Sequence, residues 1–212
     1  RFMDDEARAV FARFARFRGP NLSNAARHRL VDDFLRAHLA RHPDGLIVLL
    51  GAGFDTRAFR LPGGRWVELD QPALLARKEH ALPAHTAPSP LQRVGIDFAT
   101  QDLAGVLAPW AGHETAVVVL EGVSMYLTNE AIAATLRQAA SLATGSTLVM
   151  SFMLPIERDY CSLVVCFCDT HSDLTGPTHH VLASYDNPLW MDDESRSTTL
   201  RLFFSVGFHA RI

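Results

Sequence analysis

Two glycines and a carboxylate follow hydrophobic runs at a spacing that suits cofactor binding. Gly51 and Gly53 come directly after the aliphatic residues 46–50. Glycine has no Cβ, so such a turn can adopt positive φ and let the backbone approach a ligand closely. Asp70 ends the next short run, at the position where a ribose-binding carboxylate is expected after a glycine turn. The pattern predicts a nucleotide-like cofactor beside the turn, with Asp70 accepting hydrogen bonds from ribose hydroxyls.

Two further acidic residues follow predicted strands. Glu121 follows the apolar residues 115–120, and a carboxylate there is costly unless it is partnered, so we expect it to belong to the site. Asp97 and Phe98 follow residues 91–96, where Asp97 could accept from an exocyclic amine while the Phe98 N–H meets a ring nitrogen. A turn or a helix cap is the alternative role for Asp97.

The elements that must position these residues form an α/β pattern. Continuous runs at 46–50 and 115–120, with further strands at 65–70, 91–96 and 146–153, predict a doubly wound, mostly parallel sheet. Because the carboxyl ends of parallel strands meet at one edge, the candidate residues should converge there. Helical spacing predicts helices at about 4–17, 25–42, 73–82 and 128–145.

The two ends of the chain are less regular. Gly19 and Pro20 are expected to end the first helix, and Arg27 is expected near the crevice if the second helix packs beside it. Solvated arginines are the alternative. Beyond Pro155, residues 163–167 indicate a packed helix and 199–208 a last helix. We therefore expect the sheet to lack one or two strands and both ends of the chain to be incomplete.

Composition describes one soluble globular domain. The chain has 212 residues, 48% of them hydrophobic, and a formal net charge of −3. The predicted division is a helical N-terminal part (1–44), a cofactor-binding core (45–153) and a substrate-side segment (154–212). No strongly basic stretch suits nucleic acid, no apolar run is long enough to span a membrane, and no signal segment opens the chain. We expect a cytoplasmic protein that binds neither nucleic acid nor membranes.

Three cysteines and a histidine near the C-terminal end are candidates for a metal site. Cys161, Cys166, Cys168 and His171 lie close together, but their spacing does not match common zinc sites, so no metal is expected. His171, His179 and His180 are either surface residues or part of a substrate pocket.

In combination, these motifs resemble the leucine carboxyl methyltransferase family. The resemblance rests on Gly51-Ala52-Gly53-Phe54-Asp55-Thr56-Arg57, on Val67-Glu68-Leu69-Asp70-Gln71-Pro72 with Lys78, on Asp97-Phe98, and on Leu120-Glu121-Gly122-Val123-Ser124-Met125-Tyr126. It extends from about Arg27 to Met153. The family includes bacterial and polyketide-associated O-methyltransferases that use S-adenosylmethionine, and its fold is a mostly parallel seven-stranded sheet.

The resemblance implies a role for each matched position. Gly51 and Gly53 pass under the methionine part of the cofactor, Asp70 binds ribose, Asp97 and Phe98 hold adenine, and Glu121 lies near the amino group of the cofactor. It also implies two catalytic positions. Arg27 resembles the first arginine of an Arg-Thr-Arg motif that reaches a cofactor or substrate carboxylate, with His28 in place of the threonine, and Tyr126 lies near the methyl-transfer site.

The resemblance therefore implies an S-adenosylmethionine-dependent O-methyltransferase acting on a small-molecule acceptor, with a carboxylate as the favoured methyl acceptor. For a hydroxyl acceptor, His171, His179 or His180 would serve as base. Two alternatives stay open. A nicotinamide-dependent oxidoreductase shares the strand, turn and acid, but Thr56 stands where its motif has a third glycine or alanine. A cofactor-binding partner module would bind without turnover.

Overall fold

A computed structural model of the protein describes residues 5, 8, 9, 12, 18–111, 115–139, 142, 145–153, 163–169 and 180–184. Seven strands form one sheet in the order β3-β2-β1-β4-β5-β6-β7. Their bounds are Leu46–Leu50 (β1), Arg65–Asp70 (β2), Leu91–Gly95 (β3), Ala116–Leu120 (β4), Thr147–Met153 (β5), Leu163–Asp169 (β6) and His180–Ser184 (β7). Strands β1 to β5 are parallel, and β6 and β7 each run antiparallel to the strand before them.

Strand β1 lies between β2 and β4 and is buried on both faces, as its continuous aliphatic sequence predicts. Leu46, Val48 and Leu50 belong to one hydrophobic cluster, and Ile47 and Leu49 belong to another. Successive side chains of a strand point to opposite faces, so β1 contributes to both cores of the molecule. The predicted doubly wound, mostly parallel sheet is confirmed.

Helices cover both faces of this sheet. Their bounds are Arg18–Arg41 (α1), Arg57–Arg60 (α2), Pro72–Ala81 (α3), Leu103–Leu107 (α4) and Asn129–Ala139 (α5), with 3₁₀ turns at Ala84–Thr86 and Ser124–Tyr126. Helices α1 and α2 pack on the cluster that contains Leu49, and α4 and α5 pack on the cluster that contains Leu50. The Thr128 hydroxyl accepts from the Ala131 N–H at 3.2 Å and so caps α5.

Helix α1 begins earlier than the sequence pattern predicts. Gly19 and Pro20 were expected to end a helix, yet both lie in the first turn of α1. Proline is tolerated there because the first N–H groups of a helix have no intrahelical acceptor, so its missing N–H costs nothing. Of the helix predicted over residues 4–17, the described residues Asp5, Arg8, Ala9 and Ala12 are helical, and the others lie outside the described residues.

The segment expected to be a packed helix at 163–167 is strand β6, so that prediction is wrong. Its residues pair antiparallel with β5, from Leu163 opposite Met153 to Asp169 opposite Thr147. The run Leu163-Val164-Val165 is rich in branched side chains that suit a strand, and a free edge of β5 was available to pair with it. The expectation that one or two strands would be missing is wrong for the same reason, since β6 and β7 complete seven strands.

A group of charged side chains is buried around Glu68 of β2. Lys78 and Glu68 are both fully buried, with Nζ of Lys78 2.9 Å from Oε1 of Glu68, and Nε of Arg93 donates to Oε2 of Glu68 at 2.9 Å. This explains structurally why a lysine stands at position 78.

Within the described residues, no helix is both long and apolar enough to cross a membrane. The predicted division of the chain into parts stays a prediction.

Candidate active site

The glycine turn after β1 is tied to the end of β2. The N–H groups of Gly51 and Ala52 both donate to the carbonyl oxygen of Leu69, at 2.8 and 3.0 Å. The next residue of β2 is Asp70, whose Oδ2 accepts from the Gly53 N–H at 2.6 Å. Its Oδ1 accepts from the Gln71 N–H at 2.7 Å. Each carboxylate oxygen has two lone pairs, so Asp70 keeps acceptor capacity for a ligand hydroxyl.

Both glycines of the turn have positive φ, +68° for Gly51 and +45° for Gly53. They differ in their surroundings. A Cβ at Gly51 would overlap Cγ2 of Val123, whereas the nearest atom to a Cβ at Gly53 is the Gly51 carbonyl oxygen at 4.0 Å. Gly51 is therefore required by packing, and the space next to Gly53 is open to a ligand.

Glu121 follows β4 and is surrounded by cations. Its Oε1 accepts from Nε of Arg27 at 2.7 Å and lies 3.0 Å from Nδ1 of His28, while its Oε2 lies 2.7 Å from Nη1 of Arg57. The side chain of Glu121 is only 7% exposed. Its partners come from two helices, and its predicted place near the amino group of the cofactor stays a prediction.

The surroundings of Glu121 keep it ionised. Burial alone would raise the pKa of this carboxyl, but the hydrogen bond to His28 and the charges of Arg57, His28 and Arg27 outweigh burial and lower the pKa to about 2. Nδ1 of His28 also lies 3.2 Å from Nη2 of Arg57, so the position of its proton decides whether it donates to Glu121 or accepts from Arg57.

Arg57, at the start of α2, contacts Glu121 and was given no role from the sequence. Its side chain is 1% exposed, and it binds Asp32 through Nε at 2.6 Å and Asp55 through Nη1 at 2.6 Å, besides Glu121. Burial would lower the pKa of this guanidinium, but Asp55, Glu121 and Asp32 raise it. The signal in the sequence was the arginine itself, directly after the glycine turn in Asp55-Thr56-Arg57.

A cavity of about 500 Å³ opens between α1, the glycine turn and the ends of β1 and β4. This volume lies within the usual range for small-molecule and cofactor sites. The residues that line it are His28, Leu49, Leu50, Gly51, Ala52, Gly53, Phe54, Asp55, Thr56, Arg60, Val119 and Glu121. The structure thus brings Gly51, Gly53 and Glu121 together, with Arg27 and Asp70 bonded directly to them.

Three predicted positions lie apart from the lining. Asp97 forms a turn, with Oδ1 accepting from the Ala99 N–H at 3.0 Å and Oδ2 from the Thr100 hydroxyl at 3.0 Å. Phe98 packs against the core, and Tyr126 is 80% exposed. A turn was the alternative to adenine binding that the sequence left open for Asp97. The adenine-binding roles of Asp97 and Phe98 and the catalytic roles of Arg27 and Tyr126 stay predictions.

The cysteine and histidine cluster lies partly beyond the described residues, which exclude Cys161, His171 and His179. Elsewhere in the part of the chain that the structure describes, no group of three or more histidine, cysteine, aspartate or glutamate residues could hold a metal ion.

The fold and the cavity define the class of the protein, a doubly wound α/β domain that binds its ligand beyond the carboxyl ends of its central strands. The family model of leucine carboxyl methyltransferase matches residues 2–140. The chain belongs to this family. Its curated bacterial relatives are named as S-adenosylmethionine-dependent methyltransferases.

Several bacterial relatives share the name "Putative S-adenosyl-L-methionine-dependent methyltransferase". One from Streptomyces coelicolor is 34% identical over 161 residues, which are 71% of this chain and 49% of the relative. One from a Parafrankia species is 38% identical over 136 residues, 59% of this chain and 43% of the relative. The chain spans about half the length of the curated relatives that it matches.

Solved structures with a similar fold include the apo form of the S-adenosylmethionine-dependent methyltransferase SibL. It is 18% identical with a TM-score of 0.45, over 69% of this chain and 43% of that chain. Another is the magnesium protoporphyrin IX methyltransferase of Synechocystis with its bound cofactor. It is 20% identical with a TM-score of 0.43, over 64% of this chain and 62% of that chain.

The residues present fit this cofactor. Oε2 of Glu121 is buried at the cavity and accepts no well-aligned hydrogen bond from the described residues, although Arg57 is ion-paired with it. An ammonium group in the cavity would supply the missing donor. The open space beside Gly53 and the remaining lone pairs of Asp70 suit a neighbouring ribose.

Proposed function

We propose that the protein is an O-methyltransferase that methylates the carboxylate of a small molecule, a polyketide-like metabolite included. The observation that carries the proposal is the cavity at the glycine turn, which is polar, cofactor-sized and lined by cationic as well as anionic side chains. Arg60 lines it and is about half exposed, so its charge reaches the cavity, and His28 lines it as well. Cationic side chains favour an anionic acceptor over a neutral one.

The chemistry requires little of the protein beyond positioning. When bound, S-adenosylmethionine supplies an electrophilic methyl group on a sulfonium. A carboxylate is anionic near neutral pH, so no base has to remove a proton from it first. The chain's own residues would hold the acceptor oxygen in line with the methyl group and exclude water, which is where the rate enhancement would arise.

Glu121 and Asp70 would hold the cofactor at its two polar parts. Glu121 is fully ionised near neutral pH and would accept from the amino group, while Asp70 would accept from the ribose hydroxyls. Arg27 is bonded to Glu121 and would reach a carboxylate of the cofactor or of the acceptor. For a hydroxyl acceptor, His28 lines the cavity and becomes a candidate base beside the three histidines named from the sequence.

The experiment is methyl transfer from S-adenosylmethionine with a radioactive methyl group to a panel of small carboxylic acids and matched phenols. Methyl esters release volatile methanol when treated with alkali, whereas methyl ethers do not, so the two products are distinguished directly. Alkali-labile product from the acids supports the proposal. Ether products alone would overturn the carboxylate acceptor, and cofactor binding without turnover on any acceptor would favour the partner module.

A further inference from the structure

Arg57 joins three separate segments of the chain at the cavity. Its guanidinium binds Asp32 of α1, Asp55 of the glycine turn and Glu121 after β4, at 2.6, 2.6 and 2.7 Å. The arginine and the three carboxylates are all largely buried, with Asp55 the most exposed at 18%. A planar guanidinium presents several donors in a fixed fork, which a lysine ammonium cannot reproduce.

The contact with Glu121 sets the orientation of its carboxylate. Oε1 is occupied by Arg27 and His28, and Nη1 of Arg57 is shared between Oε2 of Glu121 and Oδ2 of Asp55. Both oxygens of Glu121 are therefore held, while Oε2 keeps a lone pair without a well-aligned donor among the described residues. This lone pair is the acceptor that the site offers to a ligand.

We propose that Arg57 is a positioning residue, which fixes Glu121, the glycine turn and α1 relative to one another so that Glu121 binds the amino group of the cofactor. The proposal rests on the proposed function only in its last step, the identity of the ligand. Arg57 acts through Glu121 and does not itself line the cavity.

The charged groups around Glu121 determine how removal of Arg57 would change the protonation of Glu121 and the attachment of α1. Arg27 and His28 face it from α1, Arg57 faces it from α2, and Asp55 and Asp32 lie on the far side of Arg57. Without Arg57, two carboxylates would lie near Glu121 with no cation between them. The Glu121 carboxyl would then take up a proton more easily, and Asp32 of α1 would keep Arg60 but lose its bond to Arg57.

The first test measures Glu121 alone, without any ligand. The carboxyl carbon of Glu121 is followed by NMR on protein labelled with carbon-13 glutamate, assigned with Glu121→Gln, between about pH 3.5 and 8. Wild type and the control Arg36→Gln are expected to show no titration in this range, because Arg36 pairs with Asp32 and Asp33 but not with Glu121. Arg57→Gln should bring the titration into the range. An unchanged signal in Arg57→Gln would overturn the proposal.

The second test measures S-adenosylmethionine affinity in the same variants. Arg57→Gln should weaken binding about tenfold or more, and increasingly so as the pH falls, since Glu121 then loses its charge. Arg57→Lys should keep the Glu121 titration close to wild type but still weaken binding, because one ammonium cannot reach three carboxylates. Affinity in Arg57→Lys equal to wild type would overturn the positioning role.

If Arg57→Gln does not fold, Asp32→Asn provides a second test of the proposal. This variant removes the α1 partner of Arg57 and leaves Glu121 and Asp55 in place, so weaker binding with an unchanged Glu121 titration supports the proposal. Wild-type affinity in Asp32→Asn would overturn it. If wild type itself does not bind S-adenosylmethionine, the proposed function fails while the Glu121 titration still tests the role of Arg57.

Discussion

At the Glu121 carboxylate, the cost of burial is offset by charge. The side chain is 7% exposed, yet Arg27, His28 and Arg57 lie within 3.0 Å of its oxygens and keep its pKa at about 2. A carboxylate held in this way is ionised at every pH at which the protein would act. It is therefore a constant partner for an ammonium group, and its position depends on residues that are distant in sequence.

The same pairing makes a stability prediction. Because the folded-state pKa of Glu121 is below its unfolded value, its stabilising effect is complete above about pH 4.5 and is lost as the pH falls towards 2. Glu121 should therefore contribute up to about 1.4 kcal/mol per pH unit to the loss of wild-type free energy of unfolding in this window, and Glu121→Gln should lack this contribution. Urea unfolding at several pH values measures this. Glu130→Gln, in the first turn of α5, controls for removal of one carboxylate; parallel slopes in wild type and Glu121→Gln would contradict the prediction.

Gly51 and Gly53 form a matched pair for a second prediction. Alanine at either position should cost about 1–2 kcal/mol because φ is positive, and alanine at Gly51 should cost more because its Cβ overlaps Val123. Gly53→Ala should mainly weaken cofactor binding, since its Cβ would occupy the open space beside the turn. Thermal unfolding and calorimetric binding separate the two effects. Adding Val123→Ala should restore part of the stability lost in Gly51→Ala, and no recovery would contradict the steric explanation.

Helix α1 acts as one wall of the cavity and as part of the core. Val31, Leu35 and Leu39 lie on its buried side against Ile47 and its neighbours, while Asp32 is bonded to Arg57 and Arg60 at the cavity end. Arg57 and Arg60 lower the pKa of Asp32 even though burial opposes this. The helix is thus held by apolar contacts along its length and by charge where it meets the site.

The apolar part of this attachment is testable at Leu35, which is fully buried. Leu35→Ala should reduce the free energy of unfolding by about 2–5 kcal/mol, because it removes buried side-chain volume and leaves a cavity. Arg36→Ala, the adjacent residue on the exposed side, should change it by less than about 1 kcal/mol. Chemical denaturation of both variants measures the difference, and equal effects would show that α1 is not packed through Leu35.

Helices and strands were predicted correctly from the sequence where a single local pattern applied. Strands β1 and β4 are uninterrupted aliphatic runs, and few other kinds of sequence form a strand that is buried on both faces. The predictions were wrong where two local rules apply to the same residues. Gly19 and Pro20 can end a helix, but proline also suits the first turn of a helix, which is where both lie. Residues 163–167 form β6 because the free edge of β5 was available to pair with them.

At the scale of the whole molecule, the site is assembled from segments that are far apart in the chain. Gly51, Gly53 and Glu121 could be predicted because each follows a strand, and the strand ends meet at one edge. The role of Arg57 could not be predicted, since it depends on the distances from its guanidinium to Asp32 and Glu121. Those distances follow from how α1 docks on the sheet, which no local pattern specifies.

Cofactor binding is tested most directly by calorimetric titration of the purified protein with S-adenosylmethionine and, separately, with NAD. We expect micromolar binding of S-adenosylmethionine, its loss in Asp70→Ala, its retention in the exposed control Asp33→Ala, and no binding of NAD. Thermal unfolding of Asp70→Ala checks that the variant is folded. Tight binding of NAD, or S-adenosylmethionine affinity unchanged by a folded Asp70→Ala, would contradict this expectation.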